Sequence, residues 1–343
     1  VLGASTRREG FLEGNGYLVS WCFGHLIELA EPEAYDAKYS KWRQEDLPIF
    51  PQNWQYLVSG STRKQYSILD TLMHREDVVS VINACDAGRE GELIFRLVYN
   101  QSQCTKPMER LWISSMEDSA IREGFQALKP GSEYDNLYEA ALCRERADWL
   151  VGINATRLFS CLYNKTLNVG RVMTPTLAMI VLRDAQAKAF KPEPYYTVQL
   201  SAGNMTVSSK RMHEKVEAIA LQEKCRNAGK LEIQSVERTE KAEHPPLLYD
   251  LTALQRDANR ILDFTAQQTL DYTQSLYERK LVTYPRTDSH YLTDDMGNMI
   301  PELRKTVEDC FTHPVHSEMQ FSRLLNSSKV TDHHAIIPTK ELA

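Results

Sequence analysis

The stretch Leu281-Val-Thr-Tyr-Pro-Arg-Thr-Asp-Ser289 decides how the rest of the chain is interpreted. The residues before Pro285 are β-branched or aromatic and favour extended structure, and the proline keeps Tyr284 out of the helical region. Side chains alternate along an extended chain, so Tyr284 and Arg286 are expected to point to the same side. A phenol would then lie beside a guanidinium whose fork of donors can grip a phosphate.

Two interpretations of this pair follow from the spacing alone. The commoner one is a half-buried strand tyrosine with a solvated arginine, and the other is a tyrosine nucleophile that attacks a phosphodiester. The complete string favours the second. Tyr284-Pro-Arg-Thr-Asp-Ser289, preceded by Leu-Val-Thr, resembles the active-site signature of type IA DNA topoisomerases, and most closely that of the topoisomerase III branch.

Length and composition place the chain among multidomain globular proteins. Its 343 residues suggest two to four domains, and its 42% hydrophobic and 25% charged content is ordinary for that class. The mean hydropathy is −0.44, and no run of about 18 apolar residues predicts a membrane span. Seven cysteines without a Cys-x-x-Cys pair are typical of reduced thiols in a cytoplasm and argue against a zinc ribbon.

The charge balance counts only mildly against a nucleic-acid partner. The net charge is −6 and the isoelectric point about 5.9, whereas phosphate binding draws on lysine and arginine. Between Leu142 and Lys191, however, eight basic residues stand against three acidic ones, an excess of +5. The distribution of charge matters more than the total, so the positive field is expected to be local.

An acidic turn follows the clearest strand pattern. Residues 77–84 are small or β-branched, as in a buried parallel strand, and helical spacing begins after Cys85-Asp-Ala-Gly-Arg-Glu-Gly-Glu92. Ligands of open α/β sheets bind at this carboxyl end of strands. Asp86 and Glu90 could hold Mg²⁺ together with substrate phosphate oxygens. The alternative is that these acids cap the helix and favour its dipole, which is the preferred interpretation for Glu92.

The acidic turn is similar to the motif of the toprim fold, which topoisomerases share with primases and some nucleases. The commoner topoisomerase pattern has acids at three positions spaced by two, whereas Gly88 stands at the middle one here. The resemblance therefore implies a leaner metal site. The family also begins with a Glu-Lys-Pro-Ser strand and continues beyond the position of Ala343, so we expect a chain truncated at both ends. A chain truncated in this way would lack part of its catalytic centre and could be inactive.

Two further segments carry candidate DNA-binding residues. A long helix over Leu137 to Arg157 presents Arg146, Trp149 and Arg157, which could line a groove for single-stranded DNA with the indole as a stacking platform. The alternative is an amphipathic helix with the indole in its core. Asn168-Val-Gly-Arg-Val-Met-Thr-Pro-Thr-Leu177 resembles a family motif in which glutamine is common at the position of Met173.

The second half of the chain yields three more segments. Strands over Tyr195–Ser201 and Leu231–Arg238, with a helix at Val216–Asn227 between them, resemble the family's β-rich arch. Helices over Asp250–Arg260 and Ala266–Glu278, followed by the Tyr284 strand, resemble a winged-helix-like domain that presents the nucleophile.

Two adjacent histidines lie near the end, in Lys329-Val-Thr-Asp-His-His-Ala-Ile-Ile-Pro-Thr339. The simpler interpretation of these histidines is a pH-sensitive pair on the surface. The match of this string to the family motif makes His333 the candidate that contacts the scissile phosphate.

The resemblance implies a multidomain α/β and α+β fold around a central hole. Its four parts are expected to be a toprim-type parallel-sheet domain at 1–132 without its first strand, a helical DNA-binding domain at 133–190, a β-rich arch segment at 191–246 and a winged-helix-like tyrosine domain at 247–343.

The implied activity is ATP-independent transient cleavage of one DNA strand through a 5′-phosphotyrosine bond, strand passage and religation. Arg286 and His333 would stabilise charge on the phosphate. The alternatives are a toprim metal-dependent nuclease or primase, and a DNA-binding fragment without turnover. Mg²⁺ is the expected cofactor, single-stranded DNA the partner, a helicase a candidate further partner, and a cytoplasmic monomer the expected form. The candidate site residues are Tyr284, Arg286 and His333 for catalysis, Asp86 and Glu90 for metal, and Arg89, Arg146, Trp149, Arg157, Arg171, Thr174, Gln255 and Ser289 for DNA.

Overall fold

The fold is that of a computed structural model, which describes residues 1–113, 118–230, 232–310 and 321–342, with the side chains of Ser119 and Ala202 left aside. The chain forms two compact units. The first consists of Val1–Gly170 and Pro246–Ala343, and the second of Arg171–Pro245. Every residue of the tyrosine and acidic motifs lies in the first unit.

The first unit begins with small antiparallel sheets. One sheet has the order β1–β2–β3 and the other pairs β4 with β5. Short helices lie between and after the strands of the second sheet. The bounds are β1 Thr6–Arg8, β2 Phe11–Gly14, β3 Tyr17–Ser20, β4 Ile27–Leu29, α1 Pro32–Tyr35, β5 Tyr56–Val58 and α2 Arg63–His74.

A strand, helix and strand then carry the acidic turn. The elements are β6 Val81–Asn83, α3 Arg89–Gln101, β7 Met108–Arg110, α4 Asp118–Gln126 and β8 Lys129–Pro130. β6 and β7 are parallel, with Asn83 opposite Arg110, and β8 adds antiparallel to β7. The strand predicted at 77–84 is therefore shorter than expected. The predicted strand-to-helix turn is present between β6 and α3.

The main core lies between these elements and one long helix, α5 Asp135–Tyr163, which packs on α3. The side chains buried together come from β4, α2, α3 and α5 and from Leu26 and Cys104, just before β4 and just after α3. They are Leu26, Ile27, Leu69, Met73, Leu93, Leu97, Val98, Cys104, Ala141 and Leu142. This packing fixes α3, and with it the turn that precedes α3.

The second unit holds α6 Met173–Lys188, the hairpin of β9 Gln199–Ala202 and β10 Met205–Ser208, and α7 Lys215–Ala228. The second arch strand predicted at Leu231–Arg238 is wrong for its described part, because 232–238 have no regular structure. Leu231 itself lies outside the described residues. Ile233 and Val236 are 69% and 81% exposed, so no partner covers the apolar positions of this segment.

The remainder of the first unit is built from α8 Leu251–Leu262, α9 Ala266–Glu278 and α10 Ile300–Cys310. Thr265 and Gln268 form a capping box at the start of α9, which begins and ends where the sequence predicts. A second core beside these helices buries Leu292, Met296, Ile300, Leu303, Ala335 and Ile337.

Within the described residues, none of the helices combines the length and the apolar composition that a bilayer crossing requires.

Candidate active site

The tyrosine segment is held in place by the segment that follows residue 330. Val282 bridges Pro338 in antiparallel fashion, and the Thr283 amide donates to the Ile337 carbonyl over 2.9 Å. The Thr283 hydroxyl also donates to the Ala335 carbonyl at 3.1 Å. The predicted strand is present only as one isolated bridge at Val282, whose partner Pro338 is remote in sequence.

Two rings flank Tyr284. The His333 ring lies 4.4 Å from it between centroids and is tilted by 48°. The Tyr277 ring, in the last turns of α9, lies 5.2 Å away in an edge arrangement. Such contacts restrict the rotation of the phenol. Within the described part of the chain, no hydrogen bond occupies the Tyr284 hydroxyl.

His333 connects the tyrosine to the acidic turn. Its Nε2 lies 3.5 Å from Oδ2 of Asp86. The hydrogen bond from His333 is the main cause that lowers the pKa of Asp86, against the effect of burial, so this carboxyl is negatively charged at neutral pH. The neighbouring His334 has a different environment. Its pKa is lowered by burial, and its Nδ1 lies 2.8 Å from the Ala335 carbonyl.

Two residues, Arg110 and Gly91, constrain the backbone around Asp86. Arg110 is 1% exposed and donates to the carbonyls of Cys85 and Asp86 over 2.6 and 2.5 Å. On the other side, a Cβ at position 91 would lie less than 3.0 Å from the backbone of Asp86, so the close approach requires Gly91.

Glu92 is a structural residue. It is 1% exposed, accepts from Asn83 Nδ2 at 2.9 Å, and pairs with Arg96 at 2.8 Å and Arg110 at 3.1 Å. The geometry fits a non-metal role for Glu92 but not the predicted helix cap, because the start of α3 has no side-chain cap and Glu92 pairs with two arginines instead. The network joins β6, α3 and β7 beneath the turn.

Two carboxylates remain open to a cation. The side chains of Asp86 and Glu90 are 55% and 60% exposed, and Glu90 Oε2 lies 3.3 Å from His25 Nε2. No set of three or more His, Cys, Asp or Glu side chains in the described ranges is arranged to hold a metal. Two carboxylates nevertheless fit the donor set of Mg²⁺ when water and substrate phosphate complete it.

The other residues of the tyrosine motif divide into exposed and buried ones. Arg286 is exposed and, among the described residues, has no ion-pair or hydrogen-bond partner. Ser289 was a candidate DNA contact, but it is 3% exposed and its hydroxyl donates to the Lys329 carbonyl. A direct contact of Ser289 with DNA would require this segment to open, so the geometry favours a structural role.

The candidate groove residues on α5 are engaged inside the protein. Trp149 donates to the Ala30 carbonyl and packs edge-on against Tyr35 and Trp54, which favours the core interpretation over a stacking platform. Arg157 has a 5% exposed side chain paired with Glu33 at 2.9 Å. Both side chains therefore have partners within the protein, and their DNA-binding roles stay predictions.

The remaining candidates differ in how far they are available to a ligand. Arg89 opens α3 and is exposed, whereas Gln255 donates to the Ala266 carbonyl. Arg146 is half-buried, with its guanidinium 5.5 Å from the centre of the Trp54 ring. Arg171 and Thr174 are exposed in the second unit. Their DNA-binding roles stay predictions.

The sequence did not point to four residues that lie near Tyr284 or the acidic turn: His25, Arg110, Tyr277 and Asp332. His25 ends a strand pattern and Tyr277 sits on an amphipathic helix, so neither stands out from its neighbours. A signal for Asp332 did exist, because Gly88 at a position where an acid is common suggests that another side chain takes that space.

Comparisons with known proteins agree with this arrangement. The model of a family described as DNA topoisomerase matches residues 132–343. The chain is 42% identical to DNA topoisomerase 3 of Staphylococcus saprophyticus over 349 residues, which is 99% of this chain and 49% of that protein. DNA topoisomerase 3 of Bacillus subtilis and of Bacillus anthracis are also 42% identical, over 99% of this chain. The chain spans about half the length of these curated relatives.

A solved structure supports the same fold. Full-length topoisomerase I from Thermotoga maritima superposes with a TM-score of 0.62 at 22% identity, covering 95% of this chain and 52% of that one.

Proposed function

This chain belongs to the type IA DNA topoisomerases and is similar to topoisomerase III, and we propose that it carries the strand-cleaving centre of such an enzyme. The observation that supports the proposal is the contact of Tyr284 with His333, which in turn reaches Asp86. Three segments far apart in sequence thereby meet around His333.

The proposed reaction begins with attack by the Tyr284 oxygen on a phosphorus of single-stranded DNA. The bond from phosphorus to the 3′ oxygen breaks, and the tyrosine becomes joined to the 5′ phosphate. The phenol gives up its proton, and the departing 3′ oxygen takes one up. The covalent bond conserves the energy of the broken one, so religation by the 3′ hydroxyl needs no nucleotide.

The residues around the phenol have separate tasks in this proposal. Arg286, which is exposed and follows the tyrosine by two residues, would offer its fork of donors to the phosphate oxygens. His333, whose ring lies 4.4 Å from the Tyr284 ring between centroids, would contact the same phosphate. Tyr277, whose ring lies 5.2 Å from that of Tyr284 between centroids, also limits the rotation of the phenol.

Mg²⁺ is a further part of the proposal. Asp86 and Glu90 would hold it, and it would supply positive charge that orients the DNA for religation. We further propose single-stranded DNA as the substrate, a helicase as a partner and a monomeric form. We propose the cytoplasm as the location, since the seven cysteines are free thiols.

The experiment is a label-transfer assay. The protein is incubated with 5′-radiolabelled and, separately, 3′-radiolabelled single-stranded DNA and Mg²⁺, then denatured and resolved on a gel. We expect the 3′ label to stay with wild type and with the control Tyr17→Phe, and to be lost in Tyr284→Phe. Free cut ends from every variant would instead support the nuclease alternative, and binding without any cut would support the DNA-binding fragment.

A further inference from the structure

The backbone conformation of residue 88 does not explain why a glycine stands there. Its φ of −164° and ψ of 178° are extended values, which any residue adopts. A side chain at this position would meet another residue instead. The three atoms nearest to an added Cβ all belong to the carboxylate of Asp332, with Cγ at 2.6 Å and Oδ2 at 2.7 Å. The space of the missing side chain is thus taken by Asp332.

Asp332 belongs to the segment that holds the tyrosine. The hydroxyl of Thr331 donates to Asp288 Oδ1 at 2.8 Å, and the hydroxyl of Thr287 donates to the His333 carbonyl at 2.8 Å. The residues on both sides of Asp332 are therefore tied to the end of the tyrosine motif. A displacement of the backbone at Asp332 would therefore be passed to Thr287 and Asp288, at the end of the tyrosine motif.

Charge alone does not explain why this carboxylate sits here. The groups that act on it are of both signs: His333 and Arg89 attract it, whereas Asp288 and Asp86 repel it. Attraction and repulsion oppose each other across the same small region. The shape of the turn, open only because residue 88 lacks a Cβ, is the feature that admits the carboxylate.

We propose that Asp332 is a positioning residue that docks in the space left by Gly88 and thereby sets the distance between Tyr284 and the acidic turn. The inference rests on the proposed function, since it assigns the docking point a role in bringing Tyr284 and Asp86 together. It makes the glycine at 88 and the aspartate at 332 a matched pair, so that a change of one matters only while the other is present.

The test is a double-mutant cycle read by single-turnover formation of the covalent complex. We expect Gly88→Ala to slow this step by ten- to a hundredfold, because a displacement of about 1 Å costs on the order of 10²-fold. Asp332→Ala should slow it about tenfold, and adding Gly88→Ala to Asp332→Ala should then change the rate by less than about twofold. Asp332→Asn keeps the shape and should stay within about threefold of wild type.

Two controls make the cycle specific. Gly60→Ala adds a Cβ that meets nothing within 4 Å, and it should leave the rate unchanged. Asp309→Ala removes an exposed carboxylate from α10 and should do the same. Thermal midpoints of all variants separate loss of docking from loss of folding.

A readout without chemistry separates this inference from the proposed function. Backbone amides at 329–335 should exchange hydrogen faster in Gly88→Ala than in wild type, and this difference should vanish in the Asp332→Ala background. Equal effects of Gly88→Ala with and without Asp332, in exchange or in rate, would overturn the docking point. A wild type that never forms the covalent complex but shows the exchange coupling would overturn the proposed function and keep the docking point.

Discussion

The substitution Glu92→Gln tests whether the buried network under the acidic turn holds the turn in place. Glu92 is 1% exposed and pairs with two arginines, of which Arg110 is also 1% exposed. Glutamine keeps the shape but removes the charge, so the Arg110 cation would stay buried without compensation. Breaking a buried ion pair in this way costs about 3–5 kcal/mol. Even the lower value corresponds to roughly a 150-fold increase in local opening.

Native-state hydrogen exchange is the appropriate assay, because the chain has two units and one global transition would mix them. The protection factors of amides in α3 should fall by about two orders of magnitude in Glu92→Gln. The matched control is Glu133→Gln, whose partner Lys129 lies 3.8 Å away and whose side chain is 53% exposed. It should change protection by less than about 1 kcal/mol. Protection in α3 as high in Glu92→Gln as in the control would refute the role of the network.

Three further predictions concern the phenol, the guanidinium and alkaline pH. Tyr277→Ala should slow covalent-complex formation about tenfold, whereas Tyr277→Phe, which keeps the ring, should stay close to wild type in the same single-turnover assay. Arg286→Lys keeps a positive charge but loses the fork of donors, so it should slow the reaction at least about tenfold. The control Arg279→Lys should leave the rate unchanged. Equal rates for the two variants would contradict the phosphate contact. Burial raises the pKa of Tyr56 to about 12 in the folded protein, above the ordinary value of about 10. The neutral phenol therefore stabilises the folded state. This contribution to stability is complete below about pH 10 and is lost as the pH rises through about 12. An ultraviolet titration of wild type minus Tyr56→Phe should show this one phenol ionising near pH 12, and a difference centred near pH 10 would contradict it.

Local signals in the sequence predicted the helices of the tyrosine region well. The bounds of α9 follow from Thr265 and Gln268, which satisfy the first backbone donors of the helix, and Asp250 caps α8 in a similar way. Both effects act over three or four residues, so the order of residues alone is sufficient to identify them. The turn between β6 and α3 was predictable for the same reason.

Contacts between remote segments were not predictable in the same way. Trp149 and Arg157 are residue types that are common in DNA-binding grooves. Their partners Ala30 and Glu33, however, lie more than a hundred residues earlier. The predicted strand at 231–238 failed in its described part because a strand needs a neighbour, and alternation of residue types does not supply one. Gly88 was noticed as a departure from the family pattern, yet only the fold shows Asp332 in its space.

The central claim, that the Tyr284 oxygen forms the bond to DNA, is tested most directly by locating the adduct. Covalent complexes formed on single-stranded DNA are digested with nuclease and trypsin and then sequenced by mass spectrometry. Cleavage after Lys280 and Arg286 releases the hexapeptide Leu-Val-Thr-Tyr-Pro-Arg. We predict a 5′-phosphonucleotide on the tyrosine of this hexapeptide. An adduct on the peptide that carries Tyr277, or the absence of any nucleotide-bearing peptide from an active preparation, would contradict it.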